Sequence, residues 1–476
     1  MMGDGSPLAI RFGTDGWRAT IADGFTFENV RRCAEGVARQ LVGAGVAERG
    51  VVVGYDTRFA SDRFARAAAL VLARHGIPTF LVDRPTPTPM VSYAIVDREA
   101  AGGIIITASH NPPTDNGFKL RSEYGGASDP ETLREVESLI PDAASEVSGS
   151  GAEDDLVETF DAAPAYIDHL GDLVDLDRLR ASGLHVVADA MWGAGAGWLP
   201  HLLARDGTKV RELHGERNPL FPGMDRPEPI PPNLDALQTE VARTRADVGL
   251  ATDGDADRVG MVDETGRFVT QLQVYGLIAL YLLEVRGWRG PIVKTLSTTT
   301  MLDKLGELYG VSVYETGVGF KFVAPKMLEV DAMVGGEESG GFAFRDHLPE
   351  RDGILAGLFL LDYMVETDKR PSDLIAGLYQ LVGPHHYDRI DTVLLPGQRE
   401  KATARLEESR PQMLADRRVE RVSTSDGYRF QLEGGAWLLI RFSGTEPKLR
   451  VYAEAGSPAE VGALLEEGRS LAGLEG

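Results

Sequence analysis

The amino-acid sequence predicts an α/β protein of three similar units with mixed, mostly parallel sheets, followed by a fourth unit of α+β type. Three observations carry this. As far as about Pro384, short β-branched apolar runs alternate with amphipathic stretches of helical period, the pattern of strands joined by helical crossovers. Beyond Pro384 the strands follow one another closely, as in an antiparallel meander. At 476 residues the chain is long enough for roughly three or four domains of ordinary size.

The first unit, taken as residues 1–150, opens on Arg11-Phe12-Gly13-Thr14-Asp15-Gly16-Trp17-Arg18. This stretch reads as readily as a surface turn as it does as a phosphoryl grip through Arg18. A helix over Glu28–Gly45, a buried strand over Val51–Asp56, a helix over Ser61–Gly76, a strand over Pro78–Asp83 and a Pro85–Pro89 turn follow. The run Gly102–Ile106 is a buried strand, and Thr107-Ala108-Ser109-His110-Asn111-Pro112-Pro113 ends it, because two prolines remove backbone donors and fix φ. Ser109 therefore belongs on a loop at a strand end, where open α/β sheets place their chemistry. Alone it is a capped turn as readily as an activated nucleophile, and the G-x-S-x-G elbow of serine hydrolases is absent. Asp142–Asp155, rich in Ser, Gly, Ala and acid, reads as an exposed linker near a boundary.

The second unit, residues 151–268, starts its α/β pattern at Leu184–Asp189. Glycines 193, 195 and 197 miss the G-x-G-x-x-G spacing, so no dinucleotide is expected there. Asp253, Asp255 and Asp257 then converge where the chain turns between two strand-like runs. Three carboxylates so close repel one another unless a cation offsets them, and an all-oxygen set suits Mg²⁺, Mn²⁺ or Ca²⁺. An EF-hand is rejected: Arg258 stands where its glycine belongs, and strands replace the flanking helices.

The third unit, residues 269–384, carries an apolar helix over Leu272–Gly287, a strand over Pro291–Thr295, a helix over Met301–Tyr309 and two polar loops. One loop is Glu315–Lys321. The other, Gly335–Gly341, offers Glu337, Glu338 and Ser339 as partners for neutral hydroxyls; a sugar suits it and a phosphate would be repelled, although alone it is equally a solvated acidic turn. The fourth unit, residues 385–476, should hold strands over Tyr387–Leu395, Arg418–Ser423, Tyr428–Leu432, Ala436–Phe442 and Val451–Ala455, with helices around Glu400–Glu408 and at the end. Its loop Arg441–Arg450 has the composition of a phosphate cradle, with only Glu446 against it.

A net charge of −23 argues against a partner such as nucleic acid or an anionic membrane, which would need a large basic surface, but leaves room for a small anion. No stretch is apolar enough to cross a bilayer, the start lacks a signal-peptide pattern, and the single Cys33 excludes an internal disulfide. A cytoplasmic location is the resulting expectation.

Taken together, Thr107–Pro112, Asp253–Arg258, Gly336–Gly340 and Arg441–Thr445, with Phe12–Arg18 ahead of them, resemble in content and order the motifs of the α-D-phosphohexomutases. These are four-domain enzymes built around a central cleft that move a phosphoryl group between the 1 and 6 oxygens of a hexose. The resemblance implies that Ser109 carries the phosphoryl group and that Asp253, Asp255 and Asp257 hold Mg²⁺ with an oxygen on Ser109 as a fourth ligand. By the same resemblance Arg18 clamps the moving group, and Lys119 or His110 shuttles the proton, with nothing to rank the two. Arg441, Ser443, Gly444 and Thr445 would hold the resident phosphate, with Lys448 or Arg450 nearby, while Glu337 and Ser339 would hold the sugar hydroxyls. Arg258, Thr316 and Gly319 complete the expected substrate contacts. Gly336–Gly340 and the 316–321 loop look most like the glucose-directed branch; mannose phosphates are the runner-up and glucosamine phosphate the third choice. The implied partners are hexose phosphates, with glucose 1,6-bisphosphate as intermediate and activator, acted on by a monomer or homodimer. Two rivals remain: an aspartyl-phosphate phosphatase, with Asp253 as nucleophile and Ser109 idle, and a non-catalytic sugar-phosphate binder.

Overall fold

The computed structural model describes residues 10–13, 15–144, 154–443 and 447–474. In the first sheet β1 (Trp17–Thr20), β2 (Val51–Tyr55), β3 (Thr79–Val82), β4 (Gly102–Ile106), β5 (Asp115–Ser122) and β6 (Val157–Phe160) pair in the order β1-β5-β4-β2-β3-β6. β2 and β4, buried at every residue, form the parallel centre with β3 and β6, and β5 and β1 add antiparallel to β4. Such doubly covered strands read as continuous apolar runs. Thr26 caps the helix Phe27–Gly43 by accepting from the Asn29 N–H, and the Ser61–Arg74 helix packs on the sheet. The expected Pro85–Pro89 turn is shorter than its prolines suggest. Thr88–Asp97 is already helical, with Pro89 in the first turn, where a missing N–H goes unnoticed.

β6 lies beyond residue 150, where the sequence places the first boundary. It is an edge strand whose residues are all half-buried or exposed, so it carries no apolar signature. The expected linker falls largely on residues 145–153, outside the described ones.

The second sheet combines β7 (His185–Asp189), β8 (Lys209–Leu213), β9 (Val248–Thr252), β10 (Val259–Val262) and β11 (Phe268–Val269) in the order β11-β10-β9-β7-β8. The third orders β12 (Ile292–Thr295), β13 (Val313–Thr316), β14 (Val334–Gly336) and β15 (Phe342–Phe344) as β13-β12-β14-β15. The helix expected over Leu272–Gly287 is α-helical over Gln271–Leu280 and passes into a π turn at Tyr281–Val285, where the Tyr281 hydroxyl donates to buried Asp362 (2.5 Å). The helix Gly353–Thr367, apolar on nearly every side, packs from the third unit onto β9 and β10 of the second.

The fourth sheet is wholly antiparallel: β16 (His386–Val393), β17 (Met413–Leu414), β18 (Arg417–Ser423), β19 (Tyr428–Leu432), β20 (Trp437–Phe442) and β21 (Lys448–Ala455), in the order β16-β21-β20-β19-β18-β17. One apolar cluster runs through the first three units. The fourth has its own core around Leu406, Phe430, Leu438, Val451 and Leu464, and lends Trp437, Leu439 and Tyr452 to the larger one, against which Tyr387 also packs.

Candidate active site

Ser109 stands on the loop leaving β4 and is 1% exposed. Its φ of +50° is uncommon for a residue with a side chain, and Thr107 Oγ1 steadies it by accepting the Ser109 N–H (2.8 Å). Beneath the loop lies buried Arg58. Its Nη2 donates to the carbonyls of Ser109 (2.6 Å) and Asn111 (2.7 Å), and its Nη1 to those of Pro112 (2.8 Å) and Asp115 (3.0 Å). Four carbonyls held by one guanidinium fix the loop that Pro112 and Pro113 keep out of regular structure.

Asp253, Asp255 and Asp257 sit on the turn between β9 and β10, fully buried, and each offers a carboxylate oxygen within 4.8 Å of the others. The Ser109 hydroxyl donates to Asp253 Oδ2 (2.8 Å) across the seam between the first two units. Gly254 allows that approach, since a Cβ there would lie 2.4 Å from the Ser109 carbonyl oxygen. Lys119, buried on β5, reaches Asp15 (2.9 Å), Asp255 (2.8 Å) and Asp257 (3.3 Å). Burial opposes its charge, but these three carboxylates raise its pKa above the usual lysine value. Burial, then Asp257 and Asp255, push the Asp253 carboxyl well above the usual range, so the triad is short of positive charge. Asp255 Oδ1 and Asp257 Oδ1 are moreover buried without a hydrogen-bond partner. Converging, under-neutralised and partly orphaned oxygens fit a hard divalent cation.

His110 Nδ1 is 3.4 Å from Ser109 Oγ. Burial of the ring, then Arg258, Arg18, Arg226 and Arg450, hold its imidazole well below the usual 6.5, so the ring is neutral. Arg18, on β1, donates to Asn111 Oδ1 (2.7 Å) on the serine loop. Arg258 stays loosely paired, 3.7 Å from Asp257 and 3.9 Å from Asp253 and Glu228, which leaves its guanidinium for an incoming anion.

The joint between the three units is Arg351. Its guanidinium touches Asp15 (2.8 Å), Asp257 (2.9 Å), Glu337 (3.1 Å) and Glu350 (3.1 Å), while Ser339 Oγ donates to the same Glu337 oxygen (2.7 Å). Its stem passes over Gly341, where a Cβ would lie 2.3 Å from Arg351 Cδ. The second glutamate of the loop turns elsewhere: Glu338 accepts from Tyr387 (2.6 Å) and Arg389 (3.0 Å) of the fourth unit.

The structure thus gathers Ser109, His110, Lys119, Arg18, Asp253, Asp255, Asp257 and Arg258 at one seam and ties Glu337 and Ser339 to them through Arg351. Arg441 and Arg450 face each other across β20 and β21, and Ser443, just past the end of β20, is buried. Gly444 and Thr445 lie outside the described residues. Thr316 ends β13 and Gly319 lies on the loop after it, where the Val318 N–H donates to Asp426 of the fourth unit (2.8 Å). Sequence reasoning missed Arg58 and Arg351. The readable signal for Arg351 was a charged run, Glu350-Arg351-Asp352, entering an apolar helix; Arg58 gave none, because its partners are backbone carbonyls far along the chain.

Four domains around a carboxylate triad, with a serine on a facing loop, define a phosphohexomutase. Family models agree: the phosphoglucomutase/phosphomannomutase α/β/α domain I matches residues 9–146, domain II 164–266, domain III 272–382 and the C-terminal domain 399–470. The chain belongs to the phosphoglucomutase/phosphomannomutase family, within the α-D-phosphohexomutase superfamily. It is 32% identical to a phosphoglucomutase/phosphomannomutase of Thermococcus kodakarensis, over 97% of this chain and 98% of that one. To a phosphoglucosamine mutase of Halorhodospira halophila it is 31% identical, over 96% and 94%. A crystal structure from Thermus thermophilus, provisionally named a phosphomannomutase, is 40% identical with a TM-score of 0.86, covering 98% of this chain and 99% of that one. No helix among the described residues is long and apolar enough to cross a membrane.

Proposed function

We propose that the protein is a phosphoglucomutase of cytoplasmic carbohydrate metabolism. It interconverts glucose 1-phosphate and glucose 6-phosphate through phosphorylated Ser109 and a glucose 1,6-bisphosphate intermediate. One observation carries the reading: the Ser109 hydroxyl lies 2.8 Å from Asp253 within a buried three-carboxylate cluster. Asp253, Asp255, Asp257 and an oxygen on Ser109 would hold Mg²⁺, which supplies charge neutralisation for the phosphoryl group.

The rest falls to the side chains. Arg18 and Arg258 grip the phosphoryl oxygens, so transfer needs positioning and electrostatic stabilisation more than covalent help. In the first half-reaction a sugar hydroxyl oxygen bonds to phosphorus and the bond from phosphorus to Ser109 Oγ breaks. The hydroxyl proton passes to neutral His110 and on to Ser109 Oγ, 3.4 Å from the ring nitrogen. Lys119, whose pKa its carboxylate partners raise, offsets part of the charge of the triad. Of the two candidate shuttles, His110 is the one placed beside Ser109 Oγ, and it is assigned the role on that position. Arg441, Ser443, Gly444 and Thr445, with Arg450, hold the phosphate that is not reacting. The bisphosphate turns by half, and its other phosphoryl group returns to Ser109 as the proton travels back.

Glucose is favoured because the room for a large side chain at position 341, where mannose- and glucosamine-directed relatives more often carry histidine, is filled here by the stem of Arg351. Mannose phosphates are the second reading and glucosamine phosphate the third, on the names of the relatives. A coupled assay of the three hexose 1-phosphates with catalytic sugar bisphosphate tests this. kcat/KM should be highest for glucose 1-phosphate, and a clear lead for either rival overturns the choice of sugar. An intact mass about 80 Da heavier, mapped to Ser109, would count against the phosphatase and the simple binder alike.

A further inference from the structure

Asp426 sits in the turn between β18 and β19, half-buried, and uses both carboxylate oxygens on different partners. Oδ1 accepts from Arg441 Nε (2.8 Å), and Oδ2 accepts from the Val318 N–H (2.8 Å) of the third unit. The neighbouring Arg429, on β19, pairs with Glu315 at the base of the same third-unit loop. We propose that Asp426 is a positioning residue for substrate binding: it aims the Arg441 guanidinium while reporting, through Val318, that the fourth unit has closed on the 316–319 loop.

This role rests on the reading of Arg441 as a phosphate ligand. A guanidinium held through Nε keeps its outer Nη edge for a bidentate grip on phosphate, whereas an unheld arginine must lose its rotamer freedom on binding. The carboxylate also withdraws part of the charge that attracts phosphate. An Asp426 that merely competed for Arg441 would therefore tighten phosphate binding when neutralised, and an Asp426 that positions it would weaken binding. The Val318 bond adds the coupling. Parting the fourth unit from the third would remove one of the two bonds that fix the Asp426 carboxylate and so loosen its hold on Arg441, which is aimed most firmly when the two units are in contact. An intermediate that must turn around needs such a contact, firm when closed and lost when open.

The test uses the full-length enzyme with Mg²⁺ and compares Asp426→Asn with Arg441→Ala. An asparagine presents one acceptor oxygen and one amide donor, so only one of the two bonds survives. The expected result is a rise in hexose-phosphate KM of about tenfold with kcat changed less than about threefold, and weaker competitive inhibition by inorganic phosphate. Loss of the phosphoryl group from Ser109 to water should rise relative to transfer, which a purely structural defect would not produce. An Asp426→Asn enzyme with unchanged or lower KM, beside an Arg441→Ala enzyme whose KM rises more than about tenfold, overturns the positioning role and leaves the cradle standing. If Arg441→Ala also leaves KM unchanged, the cradle reading falls and the positioning role with it.

Discussion

The transfer centre and the fourth unit are built on opposite terms. Around Ser109 the side chains are buried and multiply bonded: Arg58 holds four carbonyls, Lys119 three carboxylates and Arg351 four. The fourth unit has its own core and meets the others through Trp437, Leu439 and Tyr452 and through polar contacts that include Asp426 to Val318, Arg429 to Glu315, Thr300 to Glu454, and Tyr387 and Arg389 to Glu338. Phosphoryl transfer demands a fixed geometry, and the burial that fixes it also strengthens its electrostatics. Under the proposed mechanism, turning a bisphosphate demands that something let go, and the unit with its own core is where that release is expected.

The largest effect should come from breaking the chemistry while leaving both regions folded. Ser109→Ala removes the proposed phosphoryl carrier and should lower kcat by at least about 10³-fold in the coupled assay, with thermal stability nearly unchanged. Retained turnover of sugar phosphate to free sugar would identify a phosphatase instead.

Next in size is a pair of arginine substitutions that sets the two regions against each other. Arg351→Ala takes one cationic partner each from Asp257, Asp15, Glu337 and Glu350 in a buried site, and removing one partner from such a network costs about 3–5 kcal/mol, so urea unfolding should shift strongly. Arg441→Ala touches a half-exposed pair and should change stability by less than about 1 kcal/mol while raising KM about 10- to 100-fold. Equal stability losses from the two would erase the contrast. Gly341→His probes the same joint from its other side. Because the new side chain must displace the Arg351 stem, activity toward all three hexose 1-phosphates should drop together; a clean gain toward mannose or glucosamine phosphate would show that Arg351 can yield.

What the sequence revealed follows the same division of physical causes. β2, β4 and β9 are legible because strands covered on both faces must be apolar along their length. β5 is not: Asn116, Lys119 and Arg121 are buried on it, Asn116 donating to Ser61 and the two cations pairing with Asp15 and with carboxylates of the second and third units, so its composition resembles a loop. The site's loops are legible as unusual groupings of carboxylates, hydroxyls and glycines. The residues that bind loop to loop are not, since Arg58, Arg351 and Asp426 acquire meaning only from partners distant in sequence, in the same unit for Arg58 and partly in other units for Asp426 and Arg351. The same holds for Glu338, which in sequence is indistinguishable from Glu337 yet serves the fourth unit.

The smallest effect concerns the frame of the transfer centre. His214 Nδ1 lies 2.8 Å from Asp189, and its ring packs on Trp192, whose carbonyl accepts from Thr57 across the seam between the first two units. The hydrogen bond to Asp189, opposed by burial and aided by the carboxylate's charge, raises the imidazole above its usual 6.5. A histidine raised in the folded state contributes stability that is fully present below the unfolded value and is lost as pH climbs through the folded one. Wild type should therefore be more stable than His214→Gln by a margin that is widest below pH 6.5 and shrinks above it, by less than about 1 kcal/mol given the partial exposure of the ring. Urea unfolding at acid and alkaline pH measures that margin. The change should leave the KM of the hexose phosphate untouched, because His214 supports the seam and has no part in the cradle; a margin that widened with rising pH would reverse the sign of the argument.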